Sequence, residues 1–311
     1  MKFIQIGYSG RNGFLNYFAT FALTASTLLG VGLIPYTYAL KKAGLVLNKG
    51  ISTEDAINAL GENTFLALQL FPFVLALFAL MLCNKFIHKR TVLSLFTSRQ
   101  SFDWKRFFVS FTAWGILMFC MLGINAYLLK NPYEWNFDPQ TFWMLLAISI
   151  FVIPLQTTFE EAFFRGNLFQ GMGTFFRKGW VTVFFTASLF ALIHGSNPEV
   201  ETLGFGILIY FLVTGIFLGI LTLMDDGLEL SLGFHAWNNI FGALFVTNNW
   251  QVFQSDALWM DTAKPNFGWD AIASMAVCFP LLILLFSKLF NWKDWKNRFF
   301  GEIKDPNQHK N

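Results

Sequence analysis

The stretch that decides the fold is PQTFWMLLAISIFVIPLQTTFEEAFFRG, which covers residues 139–166. Its first part, Pro139–Phe159, contains no Asp, Glu, Lys or Arg and is long enough to cross a bilayer as a helix. Glu160, Glu161 and Arg165 follow at once, in surroundings rich in Phe and Leu. A charged group there costs several kcal/mol unless it is paired or serves a function. The stretch therefore predicts a membrane helix that leads into a site whose charges need an explanation.

The composition of the whole chain is that of a membrane protein. Of its 311 residues, 55% are hydrophobic and only 13% are charged, whereas soluble domains carry roughly 25% charged residues. The net charge of +3 and the lack of a block rich in Lys and Arg argue against a nucleic-acid partner. We therefore expect an integral membrane protein that contacts membrane lipids and binds no nucleic acid.

Long apolar stretches recur along the chain. Eight of them lack Asp, Glu, Lys and Arg and are long enough, or nearly so, to span a membrane. They are Phe14–Leu40, Phe65–Asn84, Phe107–Leu129, Pro139–Phe159, Gly179–Pro198, Thr202–Met224, Leu230–Ser255 and Ala271–Ser287. The polar connections are too short to hold a soluble domain. The sequence thus predicts an all-α fold, a polytopic transmembrane helix bundle of about eight spans.

The charges of the connections predict the orientation of the bundle. The segment Lys85–Arg106 holds six Lys and Arg residues against a single acidic residue, Asp103, which indicates the cytoplasmic side. The basic C-terminal tail belongs on the same side. With an even number of spans, both termini are then cytoplasmic, and the membrane is the plasma membrane if the source is bacterial.

The spacing of the three charges in the opening stretch divides them by role. Glu161 and Arg165 are four residues apart and share a helix face, so they can form an ion pair. Glu160 is rotated by about 100° from Glu161 and points elsewhere. It is therefore available as a general base. The alternative is an interfacial Glu–Arg pair with no function beyond structure.

Two of the four histidines lie in apolar stretches that follow these charges. His194 shares a helix face with Phe190, and His235 shares one with Asn239. Glu160 and the two imidazoles could hold a water against a scissile carbonyl, with Glu160 as base and the imidazoles orienting the water or stabilising the oxyanion. Taken singly, each histidine also has a structural explanation, since polar residues form interhelical hydrogen bonds in membrane bundles.

A metal is the second way to use the same side chains. Glu160, His194 and His235 are residue types that bind zinc. The chain contains no H-E-x-x-H pair, however, so a local zinc-protease motif is absent. We therefore expect a site without metal or other cofactor, and zinc is the less favoured alternative.

Three motifs of the chain together resemble those of a known family. The motifs are Glu160-Glu161-x-x-x-Arg165, Phe190-x-x-x-His194 and His235-x-x-x-Asn239. In order and spacing they resemble the motifs of the CAAX prenyl endopeptidase type II and bacteriocin-processing (CPBP, or Abi) family of glutamate-dependent intramembrane proteases. The resemblance covers about residues 145–245. It divides the chain into three N-terminal spans (1–140), a protease core (141–247), and the last span with a cytoplasmic tail (248–311).

The resemblance also implies roles. Glu160 would activate the hydrolytic water together with His194, while His235 and Asn239 would form the oxyanion side. Glu161 and Arg165 would support the site. The substrate would be a membrane-associated protein or peptide, lipidated or not, in a CAAX-type role or in bacteriocin maturation or immunity.

The sequence leaves two other functions open. The first is a scaffold or immunity protein that keeps the fold without proteolysis. The second, less favoured, is a proton-coupled transporter; such proteins commonly show inverted repeats, and none is evident in this sequence.

The site requires a particular course of the chain. If the fourth and fifth spans both cross fully, Glu160 and His194 lie tens of Å apart, so either the fourth helix continues past Arg165 or the fifth span is short and tilted. Three glycines suggest a helix that ends soon after Arg165 and an interfacial amphipathic connector. The glycines are Gly166, Gly171 and Gly173, and the connector residues are Leu168, Phe169, Met172, Phe175 and Phe176. We expect the site in a water-filled cavity that faces the cytoplasm.

Overall fold

The computed structural model of the protein describes residues 1–45 and 50–306. Nearly all of its regular structure is helical. The helices are α1 (Phe14–Lys42), α2 (Thr53–Leu60), α3 (Glu62–Phe86), α4 (Trp104–Leu128), α5 (Pro139–Phe176), α6 (Gly179–Ser196), α7 (Pro198–Leu203), α8 (Phe205–Asp225), α9 (Glu229–Leu244), α10 (Trp269–Leu289) and α11 (Trp295–Phe300). The short strands are β1 (Tyr133–Trp135), β2 (Val246–Thr247) and β3 (Trp259–Asp261).

The predicted all-α membrane bundle is confirmed. Within the described residues, seven helices are long and apolar enough to cross a membrane: α1, α3, α4, α5, α6, α8 and α10. The predicted span Leu230–Ser255 is wrong in its extent, because α9 ends at Leu244 after 16 residues. The side chain of Asn248 accepts hydrogen bonds from the backbone N–H groups of Trp250 and Gln251 and so forms a turn where the apolar pattern continues. Helix α9 is instead a short, largely buried helix packed against α4 and α5.

Helix α5 is much longer than predicted. The helix continues past Arg165, which is one of the two arrangements that could bring Glu160 and His194 together. It does not end soon after Arg165, as the glycines predicted. Regular helix over Ile153–Glu161 gives way to a π-helical segment, Ala162–Leu168, and the helix then continues to Phe176. It ends at Arg177, whose left-handed backbone (φ 55°) stops the helix.

The glycines of this helix serve close packing, which is why the predicted helix end and connector are wrong. Gly171 lies against the ring of Tyr17, and Gly173 lies against Ile4, so closely that a Cβ atom at either position would clash. The missing side chains therefore let α5 approach α1 and the N-terminal segment. Residues 168–176 are helical, and Phe169 is fully buried in the core.

The two ends of the bundle are built differently. At one end β3 pairs with β1 in antiparallel register and with β2 in parallel register. We call this the sheet end; within the described residues it comprises 41–45, 50–62, 129–138, 197–204 and 246–270. The opposite, terminal end comprises 1–13, 85–106, 177–178, 225–229 and 288–306.

The N-terminus and the last described residues, up to 306, lie at the terminal end. The backbone N–H of Phe3 donates to Asp226, which also forms an ion pair with Arg298 near the C-terminus. The Lys- and Arg-rich segment 85–106 joins them there through Arg99 and Asp225. In the part of the chain that the structure describes, seven helices are of membrane length, and the shorter α9 supplies an eighth pass between the two ends, so the grouping expected from an even number of passes is present. The cytoplasmic location of this end stays a prediction.

Candidate active site

The predicted pairing of Glu161 with Arg165 is present in α5. Arg165 Nη1 lies 2.9 Å from Glu161 Oε1, and both side chains are fully buried. The carboxylate sits at the end of the regular helix and the guanidinium in the π-helical segment, one turn further on. Arg165 Nη2 also donates to the Gly215 carbonyl of α8 at 3.4 Å. The pair thereby ties two spans together next to Glu160.

His235 of α9 lies between the two carboxylates. Its Nδ1 is 2.8 Å from Glu161 Oε1, and its Nε2 is 3.6 Å from Glu160 Oε2. Because an ionised carboxylate can only accept, we assign the hydrogen of this bond to Nδ1. Glu161 therefore fixes the orientation of the ring, which leaves Nε2 on the side of Glu160.

Glu160 is held by a side chain that the sequence analysis missed. Gln156 Nε2 donates to Glu160 Oε1 at 2.7 Å, and Gln156 Oε1 accepts from Asn239 Nδ2 at 3.0 Å. One amide thus connects the predicted base on α5 to the predicted oxyanion donor on α9. Its position four residues before Glu160, on the same helix face, was the available signal.

His194 approaches from α6. Its Nδ1 lies 2.6 Å from the Phe190 carbonyl oxygen, which can only accept, so we assign the hydrogen to Nδ1 and leave Nε2 as an acceptor. The rings of Phe190 and Phe211 lie on the imidazole with centroids 4.4 Å away in each case. The predicted Phe190–His194 face is therefore a packed unit that holds the imidazole in one orientation.

The length of α5 brings His194 to the depth of Glu160. Arg177, at the turn between α5 and α6, is 17 residues after Glu160 and 17 residues before His194. At 1.5 Å per residue, both lie about 25 Å from that turn on antiparallel helices. The geometric conflict seen in the sequence came from placing the turn too early.

The predicted site residues meet in one cavity of about 440 Å³. Its inner part is lined by the four predicted residues Glu160, His194, His235 and Asn239, together with Gln156. Its outer part is lined by loops of the sheet end, including Asn197, Asn248, Gln251 and Asn266. Glu161 and Arg165 lie behind this lining, in the fully buried interior.

The position of the cavity corrects the sequence analysis. The lining loops belong to the sheet end, across the bundle from the N-terminus and the last described residues. Cytoplasmic termini and a cytoplasm-facing cavity, which were both expected, are therefore incompatible. The cause is α9: it starts at the terminal end and places His235 inside the bundle, while α6 brings His194 toward the sheet end.

The outer cavity is acidic. Glu199, Asp261 and Asp270 line it, and no Lys or Arg does so among the residues the structure describes. Burial raises the pKa of Glu199 above its ordinary value, although the Val252 N–H donates to its carboxylate. Burial likewise raises the pKa of Asp261, and the charge of nearby Asp270 adds to that shift.

The residues of the site do not form a metal-binding group. Across 1–45 and 50–306, no three His, Cys, Asp or Glu side chains are arranged to hold a metal ion. Nδ1 of His194 is turned to the Phe190 carbonyl, and Nδ1 of His235 is turned to Glu161. We therefore derive no step through a metal, and a metal-free site stays a prediction.

Comparison with known proteins shows that the part of the chain that carries this geometry resembles a known family. The family model of type II CAAX prenyl endopeptidase Rce1-like proteins matches residues 138–241. The chain carries an Rce1-like segment. All the predicted site residues, from Glu160 to Asn239, lie within it, and the resemblance inferred from the three motifs is confirmed. The domain boundaries at 140 and 247 stay predictions.

A curated relative extends the similarity beyond the Rce1-like segment. The uncharacterized protein YyaK of Bacillus subtilis (strain 168) is 29% identical over 272 residues, which cover 86% of this chain and 90% of the relative. No solved structure matches the chain. The protein is an integral membrane protein with an Rce1-like segment.

Proposed function

We propose that the protein is an intramembrane endopeptidase that hydrolyses a peptide bond of a membrane-associated protein or peptide. The observation that carries this proposal is the meeting of Glu160, His194, His235 and Asn239 on one cavity inside the Rce1-like segment. Three helices that are distant in sequence supply these side chains. A cavity that holds water and a polypeptide is what hydrolysis within a membrane requires.

Glu160 is the general base in this mechanism. It takes a proton from a water in the cavity, and the water oxygen attacks the scissile carbonyl carbon. His194 presents Nε2 as an acceptor and orients that water. When the carbon–nitrogen bond breaks, the proton held by Glu160 passes to the leaving amine, and a new carboxylate and a new amine result.

Asn239 and His235 supply the oxyanion side. An amide nitrogen carries two hydrogens, and Gln156 accepts only one of those of Asn239, so the other is free for the developing oxyanion. His235 adds a second donor at Nε2 when its ring is protonated. Donors held in place before the reaction need no reorganisation as charge develops.

Glu161 and Arg165 support this arrangement without touching the substrate. Glu161 accepts from both Arg165 and His235 with the same oxygen, Oε1. The Arg165 guanidinium also lies 4.2 Å from the centroid of the Phe190 ring, which packs on His194. One buried ion pair therefore holds both imidazoles in position.

The exposed apolar surface supports a lipid environment. Helix α1 exposes Phe14 at 80% and Phe18 at 56% of their surfaces, which suits contact with lipid. We propose a plasma membrane location in a bacterial cell, cytoplasmic termini, and a peptide or protein substrate that includes lipidated forms.

We also propose that no metal takes part in the reaction. Treatment with a chelator followed by dialysis should therefore leave the rate of cleavage unchanged. If the chelator abolishes activity and added zinc restores it, the proposal of a metal-free reaction is contradicted.

The function is tested by comparing the termini of membrane proteins in cells that carry the wild type or Glu160→Ala. Glu201→Ala, an exposed change in α7, serves as the matched control. We expect at least one processed end in wild-type and Glu201→Ala cells that is missing in Glu160→Ala cells. Identical termini in all three, with a cellular phenotype that survives Glu160→Ala, contradict proteolysis and favour a scaffold.

A further inference from the structure

The cavity has a one-sided charge. Its lining contains the carboxylates Glu160, Glu199, Asp261 and Asp270 and, among the described residues, no Lys or Arg. The three outer carboxylates form no ion pair within the part of the chain that the structure describes. One oxygen of Glu199 is buried without any hydrogen-bond partner. No Lys, Arg or His of the described residues therefore pairs with the outer carboxylates.

The rest of the sheet end strengthens this charge. Apart from Glu199, Asp261 and Asp270, its described segments contain four Lys and Arg residues against seven Asp and Glu residues. The described segments of the terminal end contain fifteen Lys and Arg residues against seven Asp and Glu residues. Clefts lined by one sign of charge concentrate ligands of the opposite sign and speed their association. A cationic segment is thus attracted to this mouth, and a free peptide carboxylate is repelled.

The remaining polar side chains of the cavity suit a peptide backbone. Asn197, Asn248, Gln251 and Asn266 lie in the outer part, and each amide both donates and accepts. Trp250 and Phe267 add apolar surface to the same lining. This combination can hold an extended peptide by its main chain, while the carboxylates recognise cationic side chains.

We propose that the cavity selects peptide segments that carry Lys or Arg beside an apolar stretch and that reach it from the sheet end. The proposal rests on the proposed function, because the selected segment is the one brought to Glu160. It disfavours substrates that must place a free C-terminal carboxylate in the cavity. With the terminal end in the cytoplasm, as its Lys and Arg residues predict, such segments arrive from the opposite side of the membrane.

The test uses three peptides with the same apolar centre, flanked by Lys, Gln or Glu, with both termini blocked. Binding to the full-length Glu160→Gln protein is measured by fluorescence anisotropy, because this variant should not cleave the peptides. The protein is held in a zwitterionic detergent. We expect the Lys-flanked peptide to bind about tenfold more tightly than the Glu-flanked peptide at low salt, with the difference shrinking as salt screens the charges. Equal binding, preference for Glu, or binding of none of the three overturns the proposal.

Matched variants locate the effect. Adding Glu199→Gln, Asp261→Asn and Asp270→Asn should remove the preference, whereas Glu54→Gln, Glu134→Gln and Glu201→Gln, exposed at the same end and outside the cavity lining, should keep it. If the triple variant does not fold, Glu199→Gln alone should reduce the preference about two- to threefold. If the preference for the Lys-flanked peptide survives removal of these cavity carboxylates, the carboxylates do not cause it and the proposal is overturned.

Cleavage of the same peptides by the wild type separates this inference from the proposed function. A charge preference in binding without cleavage that depends on Glu160 contradicts the protease and leaves the selection of cations intact. Cleavage that depends on Glu160 but is the same for all three flanking charges supports the protease and contradicts the selection of cations.

Discussion

The protein contains two buried charged clusters, one at the terminal end and one around Glu160 on the cavity. They differ in whether their polar atoms are already paired within the protein. At the terminal end, Asp225 accepts from Arg99 at 3.2 Å and from the Trp292 indole at 2.9 Å, and it also contacts Arg106. Glu229 accepts from Arg99 at 3.0 Å. None of these residues lines the cavity. This cluster is closed, and its charges are satisfied by the protein itself.

The cluster around Glu160 is open by comparison. Its side chains line a cavity, and one hydrogen of Asn239 and Nε2 of His194 are left without a described partner. The difference shows why buried charge alone does not mark a site. A saturated cluster holds elements together, whereas a cluster with unused donors and acceptors on a cavity can bind water and substrate.

The largest predicted effect tests the open cluster. Glu160→Gln should lower the rate of cleavage about 10²–10⁴-fold, because the base is lost. The midpoint of thermal unfolding should change little, since the new amide oxygen can still accept from Gln156. Activity assays and thermal unfolding on the same preparation check this. A large loss of stability with proportionate loss of activity would place Glu160 with the closed cluster.

The closed cluster should behave in the opposite manner. Asp225→Asn leaves Arg99 and Arg106 without their shared carboxylate and should lower the free energy of unfolding by about 3 kcal/mol. This value is at the low end for a broken buried ion pair, because both arginines are partly exposed. Activity per folded molecule should stay unchanged. Asp294→Asn, half-exposed at the same end, is the control and should have little effect on either quantity.

A smaller effect concerns the hydrogen-bond chain through Gln156. Gln156→Leu and Asn239→Ala should each lower kcat about tenfold with little change in KM. The double variant should lose less than the product of the two effects, because both changes break the same chain. Independent, multiplicative losses would show that Gln156 does not position Asn239 and Glu160 together.

The smallest effect concerns His88, a fully buried histidine of the terminal end. Its Nδ1 lies 2.9 Å from the Arg11 carbonyl and its Nε2 lies 3.0 Å from the Thr20 hydroxyl. Burial lowers the pKa of His88, so below about pH 6.5 the unfolded chain binds a proton that the folded protein resists.

The stability due to neutral His88 is therefore present above that pH and is lost progressively as pH falls toward the lowered folded-state pKa. The loss from pH 7 to 5.5 should be about 1 kcal/mol. Thermal unfolding of the wild type and His88→Gln at both pH values measures it, and His88→Gln should show a smaller pH dependence. An unchanged pH dependence rules out this role.

The sequence predicted the local features of the site and missed those that depend on packing. The Glu161–Arg165 pair and the Phe190–His194 face follow from helical spacing of four residues, so they were readable from the chain. Gln156 shares the same spacing with Glu160, but a lone Gln in an apolar helix carries no charge that demands an explanation.

The course of α5 and the direction of the cavity needed the structure. Gly171 and Gly173 read as signals for a helix end, whereas they are required by the close approach of Tyr17 and Ile4. Glu160 and His194 seemed far apart because the apolar stretch, and with it the predicted fourth span, ends at Phe159, whereas the helix continues to Phe176. The side on which the cavity opens depends on how α6 and α9 meet α5, which no single stretch of sequence encodes.

The central claim is that Glu160 drives hydrolysis of a peptide bond in the cavity. The most direct test incubates the purified, reconstituted protein with a peptide library in H₂¹⁸O and identifies new C-termini by mass spectrometry. With the wild type we predict peptides whose new carboxylate carries one ¹⁸O, and with Glu160→Gln we predict none above background. New termini of equal abundance with both proteins, or none with the wild type against any member of the library, would contradict the claim.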